Sequence, residues 1–393
     1  MTSVISVVYA NDVYLDPIVT GVTWSGEITQ GYRSLDVTLR NTLDGVTRAV
    51  DIELGGELRL YSDDIELFRG IIFTHSINEK GDMSLTAHDE NVYLVKNSDG
   101  TRKFTAKKAS DIIRDLCASF EVEIGDIVDT GYVIPRLLFK NKTLWDMITT
   151  ALTETRRQTG RRFLVSAKEG ALYLTERGEK IVDYILEDGV NILGASYGQS
   201  IEDMRNSIKV SANEDAKPKT AVSANLPPEA LDMLSSAPTA TPKSEKKPLF
   251  ASAKDDALVA RFGLMQHPDQ AGAESTQSSV NQLAAELLAE MAVIKDEASV
   301  EVLGNVEVTS GSAVYVIESL TGIVGGFYVI TDSHTWSNGV HRMSLKISGD
   351  ESLPTMKYED LEDAKKEKAA STKKKKSGAD DATYAAALAR LGE

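Results

Sequence analysis

The sequence predicts a mainly β protein with α+β insertions, in which two antiparallel β-barrels or sandwiches are separated by mixed α/β domains. Short runs of alternating apolar and polar residues, separated by Asp, Asn and Gly, fill the first hundred residues and return after residue 299, as strands and turns do. Between these regions apolar residues recur at helical spacing. A third observation is Asn338-Gly339 within residues 326–349, a strong signal for a two-residue hairpin turn.

Residues 1–103 are predicted to form the N-terminal β-barrel. Strands at such close spacing favour a small antiparallel barrel or sandwich, because a parallel sheet would need crossover helices. The predicted strands cover residues 4–8, 19–24, 35–39, 50–54, 58–60, 67–73 and 83–87.

Residues 104–200 are predicted to form a mixed α/β domain. Ile112, Ile113, Leu116 and Cys117 share one face of a helix, for which Thr105 is a candidate N-cap. Cys117 is therefore predicted to be a buried core thiol. A second helix should begin at Thr143, and Asp146 three positions later approximates a capping box.

The rest of the chain divides by composition. Residues 201–212 are a connecting strand, and 213–250 are an Ala/Pro/Lys-rich linker or loop with few large apolar residues. Residues 251–298 are a helical segment, whose helix at 275–292 places Val280, Leu283 and Leu287 on one apolar face. Residues 299–350 supply the C-terminal β-barrel strands. Residues 351–393 are predicted to be a flexible tail with a lysine block at 373–376 and a short helix at 384–391.

The hairpin at 326–349 should bury one face. If the turn centres on Asn338-Gly339, Trp336 lies opposite His341, since side chains alternate along a strand. The residues predicted on the apolar face are Ile330, Asp332, His334, Trp336, His341, Met343, Leu345 and Ile347. The opposite face is polar, so the hairpin should pack one side on a core.

The composition of the chain argues against several classes of function. A chain of 393 residues suggests two to four domains, and its net charge of −16 argues against a free duplex-DNA binder, which needs clustered basic residues. With Cys117 as the only cysteine, neither an intrachain disulfide nor a cysteine-rich metal site is available. The sequence also predicts no secretory signal and no membrane-spanning apolar run.

Two residue clusters are candidates for chemical sites. Asp332, His334 and His341 could ligate zinc, but they share a face with apolar residues, which favours a hydrogen-bonded core histidine. His88-Asp89-Glu90 could be half of an acid–base pair, but a polar cluster at a strand end or turn is favoured, because no nucleophile accompanies it.

Other patterns indicate turns or tails. Asp63-Asp64 lacks the glycine and glutamate of a calcium loop, and residues 322–326 lack the lysine of a phosphate loop. Both are interpreted as turns. The lysine block at 373–376 is interpreted as a solvated tail that could meet an acidic partner. No catalytic motif, metal site or cofactor site is predicted, and the protein is not expected to be an enzyme.

The order of several short motifs resembles the late control protein D family of long-tailed phages, specifically the baseplate hub proteins of PBSX-like prophages. The resemblance covers residues 1–350. The matching stretches are residues 106–113, 141–146, 200–206, 260–266, 304–306, 310–316 and 326–329, then Ser333-His334 and the Asn338-Gly339 hairpin.

This resemblance implies two tail-tube-like β-barrels and assembly as a homotrimer, whose six barrels form a ring that adapts a sixfold tail tube to a threefold spike. The implied partners are a tail tube or tube-initiator protein, the central spike, and a tape-measure protein or other baseplate proteins, with no membrane and no sequence-specific nucleic acid. Made in the bacterial cytoplasm, the protein would reside in the baseplate of a contractile phage tail or phage-tail-like particle. The assembly residues predicted in the hairpin and helix are His334, Trp336, Asn338, Gly339, Leu283 and Leu287. The alternatives are a tail-tip peptidoglycan hydrolase and a surface-binding module.

Overall fold

The computed structural model describes residues 5–10, 12–177, 181–214, 247–271, 276–349 and 356. Most of the predicted linker and, apart from Met356, the whole predicted tail with its lysine block and short helix lie outside the described residues. The described residues divide into two compact units, the first built from residues up to 199 and from 296 to 356, and the second from 200 to 295.

The N-terminal part of the first unit is a set of antiparallel strands that bury alternate side chains, as their pattern predicts. These strands are β1 (Ile5–Tyr9), β2 (Val13–Tyr14), β3 (Val19–Glu27), β4 (Arg33–Arg40), β5 (Glu57–Ser62), β6 (Ile65–Ile77) and β7 (Asp82–His88). The predicted strand at 50–54 is wrong: this segment is an irregular loop. Asn41 holds the loop by accepting the backbone N–H groups of Ala49 and Val50 and donating to the Val50 carbonyl.

A mixed α/β region follows, with one core formed by its helices and strands. Its elements are α1 (Val92–Lys96), β8 (Ser98–Lys108), α2 (Ala109–Ser119), β9 (Ile124–Ile127), β10 (Val133–Thr143), α3 (Leu144–Thr159), β11 (Phe163–Lys168) and β12 (Ala171–Glu176). Cys117 lies in this core with no exposed surface, as predicted. Burial raises the pKa of its thiol to about 11.

The helix starts show one confirmed prediction and one wrong prediction. Thr143 and Asp146 form the full reciprocal capping box at the start of α3. Thr105 does not cap α2, because it lies inside β8, paired with Arg136 of β10. The helix begins four residues later, at Ala109, since the β8–β10 ladder already satisfies the backbone around Thr105.

Two further strands, β13 (Ile181–Glu187) and β14 (Ile192–Ser200), lead to the second unit. That unit contains β15 (Ser207–Glu214), β16 (Lys247–Lys254), α4 (Asp256–Phe262), β17 (Gln266–Gln270) and α5 (Gln277–Met291). β15 is the central strand of a three-stranded sheet, antiparallel to β16 and parallel to β17. The predicted amphipathic helix is confirmed as α5. The sequence does not predict β16, which begins in the predicted linker, or β17, which lies within the predicted helical segment.

The apolar face of α5 packs on this small sheet. Val280, Ala284 and Leu287 are buried in one cluster with Ile208 and Val210 of β15. Leu283 is half-buried against the same cluster. The helix therefore stabilises the second unit by covering its sheet.

Replacing Leu287 with alanine should lower the free energy of unfolding of the second unit by about 2–3 kcal/mol, the cost of a core cavity. Hydrogen exchange of the β15 amides would measure it. Asn281→Ala, on the exposed face of α5, is the matched control. Equal exchange in the two variants would contradict the packing role of Leu287.

The chain returns to the first unit with β18 (Lys295–Leu303), β19 (Ala313–Glu318), β20 (Ile323–Ser337) and β21 (Val340–Ser348). These strands join the N-terminal strands in one 13-stranded sheet. Its main path runs β14-β18-β21-β20-β3-β4-β7-β6-β5-β1-β2, and β13 and β19 branch from β20.

The fold is mainly β, as predicted, but the pairing differs from two separate barrels because β20 belongs to both β regions. Its first half pairs with β19, while its second half lies between β21 and β3. Two cores nevertheless lie along the sheet: one holds Trp24, Leu35 and Leu85, and the other holds Val300, Val316 and Leu345. Among the described helices, none combines the length and apolar character needed to cross a membrane.

Candidate functional site

The predicted hairpin is present with the predicted register. Asn338 and Gly339 form its turn with φ of 51° and 74°, which is the positive φ that a type I′ turn requires at both positions. Trp336 lies opposite His341. The hairpin is therefore specified locally, by its turn.

The prediction of the buried face is wrong for one residue, Ile330. A bulge between Val329 and Thr331 shifts the register, so that Val329 and not Ile330 lies opposite Ile347. Val329 is fully buried and Ile330 is half-buried. The extra residue of a bulge is left unpaired, which re-aims every residue before it.

The buried face of the hairpin contributes to both β cores. Trp336 packs in the core with Trp24, whereas Met343, Leu345 and Ile347 pack in the other. Of the residues predicted for assembly, His334 and Trp336 are thus interior, and only Asn338 and Gly339 are exposed. In α5, Leu287 is buried and Leu283 half-buried by the sheet of their own unit.

A buried ion pair joins β4 to β20. Asp332 has no exposed surface, and Arg33 grips its carboxylate with both terminal nitrogens, Nη1 at 2.9 Å from Oδ1. Ser310 donates its backbone N–H to the same oxygen at 2.6 Å. The Arg33 guanidinium also lies 4.0 Å from the centre of the Trp24 ring. The two β regions are therefore connected by a paired charge as well as by strand pairing.

This pairing controls the charge of Asp332. Burial alone would raise the pKa of its carboxyl group, but the charge of Arg33 and the hydrogen bonds from His334 and Arg33 outweigh burial and hold the pKa below its usual range. Asp332 is consequently ionised at neutral pH. An ionised carboxylate stays inside a protein only when it is paired and hydrogen-bonded.

The hydrogen bonds of the two hairpin histidines show which ring nitrogen carries a hydrogen. His334 Nε2 lies 2.9 Å from the carbonyl oxygen of Val308, and because a carbonyl can only accept, this nitrogen carries the hydrogen. His334 Nδ1, 3.1 Å from His341 Nε2, is then the acceptor in the neutral ring. His341 also stacks on Trp336, with ring centres 4.1 Å apart.

The core-histidine interpretation of His334 is confirmed, since the ring has no exposed surface and both its nitrogens have protein partners. Asp332, the third candidate zinc ligand, is held by Arg33 and Ser310. Within the described ranges, no group of three or more His, Cys, Asp or Glu residues is arranged to hold a metal ion.

Stability should fall on acidification through His341. Burial, and then the neighbouring His334, lowers the pKa of His341 from 6.5 to about 3. Between these values the unfolded chain binds a proton that the folded chain does not, so stability decreases as pH falls from 6.5 toward 3, by at most about 1.4 kcal/mol per pH unit. His341→Phe keeps a stacked ring and should show a shallower slope in urea unfolding.

His75→Phe, at an exposed strand position, is the control for loss of an imidazole and should keep the wild-type slope. An unchanged slope in His341→Phe would contradict the role given to His341.

His88-Asp89-Glu90 forms the predicted strand-end cluster. His88 Nδ1 lies 2.9 Å from the Ser34 hydroxyl. The buried Asp89 carboxylate accepts the backbone N–H groups of Arg33 at 2.8 Å and Asn91 at 3.0 Å. Burial raises the pKa of Asp89 to about 7 against these hydrogen bonds. Asp89 thus organises the loop after β7 and the start of β4.

The other two patterns give one confirmed turn and one partial correction. Asp63 and Asp64 form the turn between β5 and β6, both with positive φ. Of residues 322–326, only Gly322 lies in a turn. The remainder belongs to β20 and pairs with β19, because glycine tolerates a strand position where a neighbouring ladder satisfies its backbone.

Two exposed loop tips are not predicted by the sequence. Val46 is 92% exposed and Leu320 is 93% exposed. Each projects from a turn built on a carboxylate: Asp44 accepts the N–H groups of Val46 and Thr47, and Glu318 accepts those of Leu320 and Thr321. The N–H groups of Thr47 and Val46 lower the pKa of Asp44. The hydroxyl group of Thr321, followed by the N–H groups of Thr321 and Leu320, lowers the pKa of Glu318. The detectable signal was a local Asp or Glu two residues before an isolated aliphatic residue, which is common in loops and therefore weak.

The hairpin tip borders an open depression beside β1 and β3. Its empty volume is about 810 Å³. Trp336, Asn338 and Gly339 line it together with Val7 and Val22. This depression and the two loop tips lie at the surface of the first unit.

Comparison with known proteins agrees with the sequence resemblance. The chain is 28% identical over 343 residues to the phage-like element PBSX protein XkdQ of Bacillus subtilis, covering 87% of this chain and 95% of the relative. The resemblance to PBSX-like prophage proteins is thereby confirmed, whereas the affiliation with late control protein D stays a prediction.

Solved structures show the same fold at low identity. The 43 kDa tail protein of prophage MuSo2 from Shewanella oneidensis has a TM-score of 0.60 at 14% identity, over 88% of this chain and 98% of that one. The tail protein from Neisseria meningitidis MC58 has a TM-score of 0.58 at 15% identity, over 88% and 97%. The YQBQ-like family matches residues 22–229 and 239–348, and the chain belongs to that family.

Proposed function

We propose that the protein is a structural baseplate hub of a contractile phage tail or phage-tail-like particle, and that it assembles as a homotrimer joining the tail tube to the central spike. The observation that carries this proposal is the sheet itself: one chain holds two β cores side by side, connected through β20. The relationship to a PBSX protein over nearly its whole length supports it.

The proposed mechanism is symmetry adaptation. Each chain supplies two β cores, which we interpret as two tail-tube-like barrel units sharing β20. Three chains would then present six similar units to a sixfold tube, while every other part of the chain repeats three times and suits a threefold spike. Closed homo-oligomers require such self-consistent contacts.

The surfaces proposed to contact neighbouring chains are those with the most exposed aliphatic side chains. Val46 projects from the strands of one β core and Leu320 from those of the other, so each core would offer one aliphatic tip to a neighbour. The Asn338-Gly339 turn borders a depression that would accept a further contact. The buried residues of the hairpin, His334 and Trp336, hold the shape of these surfaces.

The negative net charge favours a channel through which DNA or a tape-measure protein passes without binding. With a net charge of −16, a ring of this protein would repel nucleic acid, so that DNA or a tape-measure protein passes without adhering. The proposed partners are the tube or tube-initiator protein, the spike, the tape-measure protein and other baseplate proteins. The role is non-enzymatic, and the protein would be made in the bacterial cytoplasm and carried in the particle.

Native mass measurement on the purified full-length chain tests the oligomer, with a trimer expected at micromolar concentration. A stable monomer would favour a surface-binding module instead. Cell-wall zymography tests the hydrolase alternative, for which a clearing band would be decisive. The polar clusters of the described residues instead have structural partners, as at Asp89 and Asp332.

A further inference from the structure

The outer face of the sheet formed by β13, β19 and β20 carries large apolar side chains. Ile185, Tyr315 and Val324 are each about half exposed. Ile185 lies opposite Tyr315, and Val324 lies opposite Ile317, two residues after Tyr315. Because side chains alternate along a strand, these four residues share one face. Neighbouring exposed apolar side chains of this kind are typical of a protein–protein contact.

This outer face has an open slot beside Tyr315. The residue opposite Tyr315 on β20 is Gly326, and a Cβ added there would meet no heavy atom of the described residues within 4 Å. Val314 and Val316, which alternate with Tyr315, are packed in the core below, so Tyr315 is held on the outside. The slot is therefore a fixed feature that an aliphatic side chain of a partner can enter.

A second apolar surface of the first unit is the β4–β5 loop, residues 41–56. Three of its aliphatic side chains, Leu43, Val46 and Leu54, are more than half exposed. The Leu43 backbone N–H donates to the Thr47 carbonyl at 2.9 Å, which fixes the tip of the loop around Val46. A loop that is already ordered loses little conformational freedom when it binds.

The loop and the outer face carry opposite charges. Arg48 lies in the loop, where its half-exposed guanidinium is 3.4 Å from the exposed Asp51 carboxylate. Glu187 is exposed and lies two residues after Ile185 on β13, on the same outer face. Opposite charges on two surfaces favour their association in one orientation.

We propose that the β4–β5 loop of one copy of the chain docks on the outer face of the next copy. An aliphatic side chain of the loop tip, Leu43 or Val46, enters the slot beside Tyr315, and Arg48 pairs with Glu187. Every copy carries one loop and one outer face, so the contact is heterologous, and its repetition closes a ring when the rotation between copies allows.

This inference rests on the proposed homotrimer and names the two surfaces through which its copies meet. A second copy is favoured over an unrelated protein because the chain itself already carries a complementary pair of surfaces. One is a projecting apolar loop with an arginine, and the other is an apolar sheet face with a slot and a glutamate.

Native mass spectrometry of the full-length chain tests the contact with a loop variant, Leu43→Asp/Val46→Asp, and a face variant, Tyr315→Asp/Val324→Asp. Each variant alone should be monomeric where the wild type is trimeric, because two desolvated charges weaken association by about a hundredfold or more. An equimolar mixture of the two variants should form a one-to-one heterodimer. In that heterodimer the intact loop of the face variant meets the intact face of the loop variant, and no third copy can be added.

A charge exchange tests the same contact without changing its apolar residues. Arg48→Glu should weaken association, and Arg48→Glu/Glu187→Arg in one chain should restore it. The control is Tyr14→Asp/Ile65→Asp, which adds two charges at exposed apolar positions elsewhere in the first unit. This control should remain trimeric.

The outcomes separate this inference from the homotrimer itself. If the wild type, the loop variant and the face variant are all trimers, the homotrimer stands and the proposed contact is wrong. The contact is also wrong if the mixed variants stay monomeric, or if the control dissociates as far as they do. A monomeric wild type at micromolar concentration would overturn both the homotrimer and the contact.

Discussion

Replacing Arg33 with methionine is expected to lower the free energy of unfolding of the first unit by about 3–5 kcal/mol, because it leaves the Asp332 carboxylate buried and unpaired. Asp332 has no exposed surface, and Arg33 is its bidentate partner. Urea unfolding followed by tryptophan emission measures the loss, since Trp24 lies directly under the Arg33 guanidinium.

The matched control is Arg40→Met. Arg40 pairs with Asp82 at 2.9 Å, but both side chains are at least half exposed, and such surface pairs contribute about 0–1 kcal/mol. Arg33→Met/Asp332→Asn, which removes both charges, should be more stable than Arg33→Met alone. Equal losses for Arg33→Met and Arg40→Met would contradict the importance of the buried pair.

The double substitution Val46→Asp/Leu320→Asp is expected to abolish particle assembly while changing stability by no more than about 0.5 kcal/mol, as exposed positions do. Both side chains are more than nine-tenths exposed, so the free chain loses little packing. In an assembled ring each aspartate would be desolvated at a contact, at a cost of about 2 kcal/mol or more per site. Particle yield from a complemented deletion strain measures the effect.

Leu264→Asp is the control for an added charge at an exposed aliphatic residue, because Leu264 lies in the second unit and is 60% exposed. It should assemble normally. If Val46→Asp/Leu320→Asp gave normal particles, the loop tips would not be assembly contacts. A large loss of stability in the free chain would show instead that the tips stabilise the fold.

Local signals predicted the local structure. The Asn338-Gly339 turn requires positive φ at both positions and therefore sets the hairpin register. Thr143 and Asp146 mark the start of α3 by a capping box that depends only on adjacent residues. The helical spacing of apolar residues located the buried face of α5 in the same way.

Long-range pairing could not be predicted in this way. The β20–β3 ladder joins residues about three hundred positions apart, and neither strand carries a signal for its partner. The Arg33–Asp332 pair depends on that ladder and was missed for the same reason. β16 and β17 were missed because one has few large apolar residues and the other contains Pro268, both of which argue against a strand.

In the candidate site, too, local features are predictable from the sequence and features that depend on distant residues are not. The apolar residues on the same strand face predicted the burial of His334. Which of its ring nitrogens carries the hydrogen depends on the Val308 carbonyl, which comes from another part of the chain. The exposure of Val46 and Leu320 depends on how each turn leaves its core. Sequence alone does not distinguish an exposed loop leucine from a buried one.

Electron cryomicroscopy of particles purified from a producing strain, with the chain located by its fold in the density, tests the central claim most directly. We expect three copies around the axis at the centre of the baseplate, with their six β cores forming a ring between the tube and the spike. Particles that lack the chain, or that contain it only along the tube or at the periphery, would contradict the hub assignment.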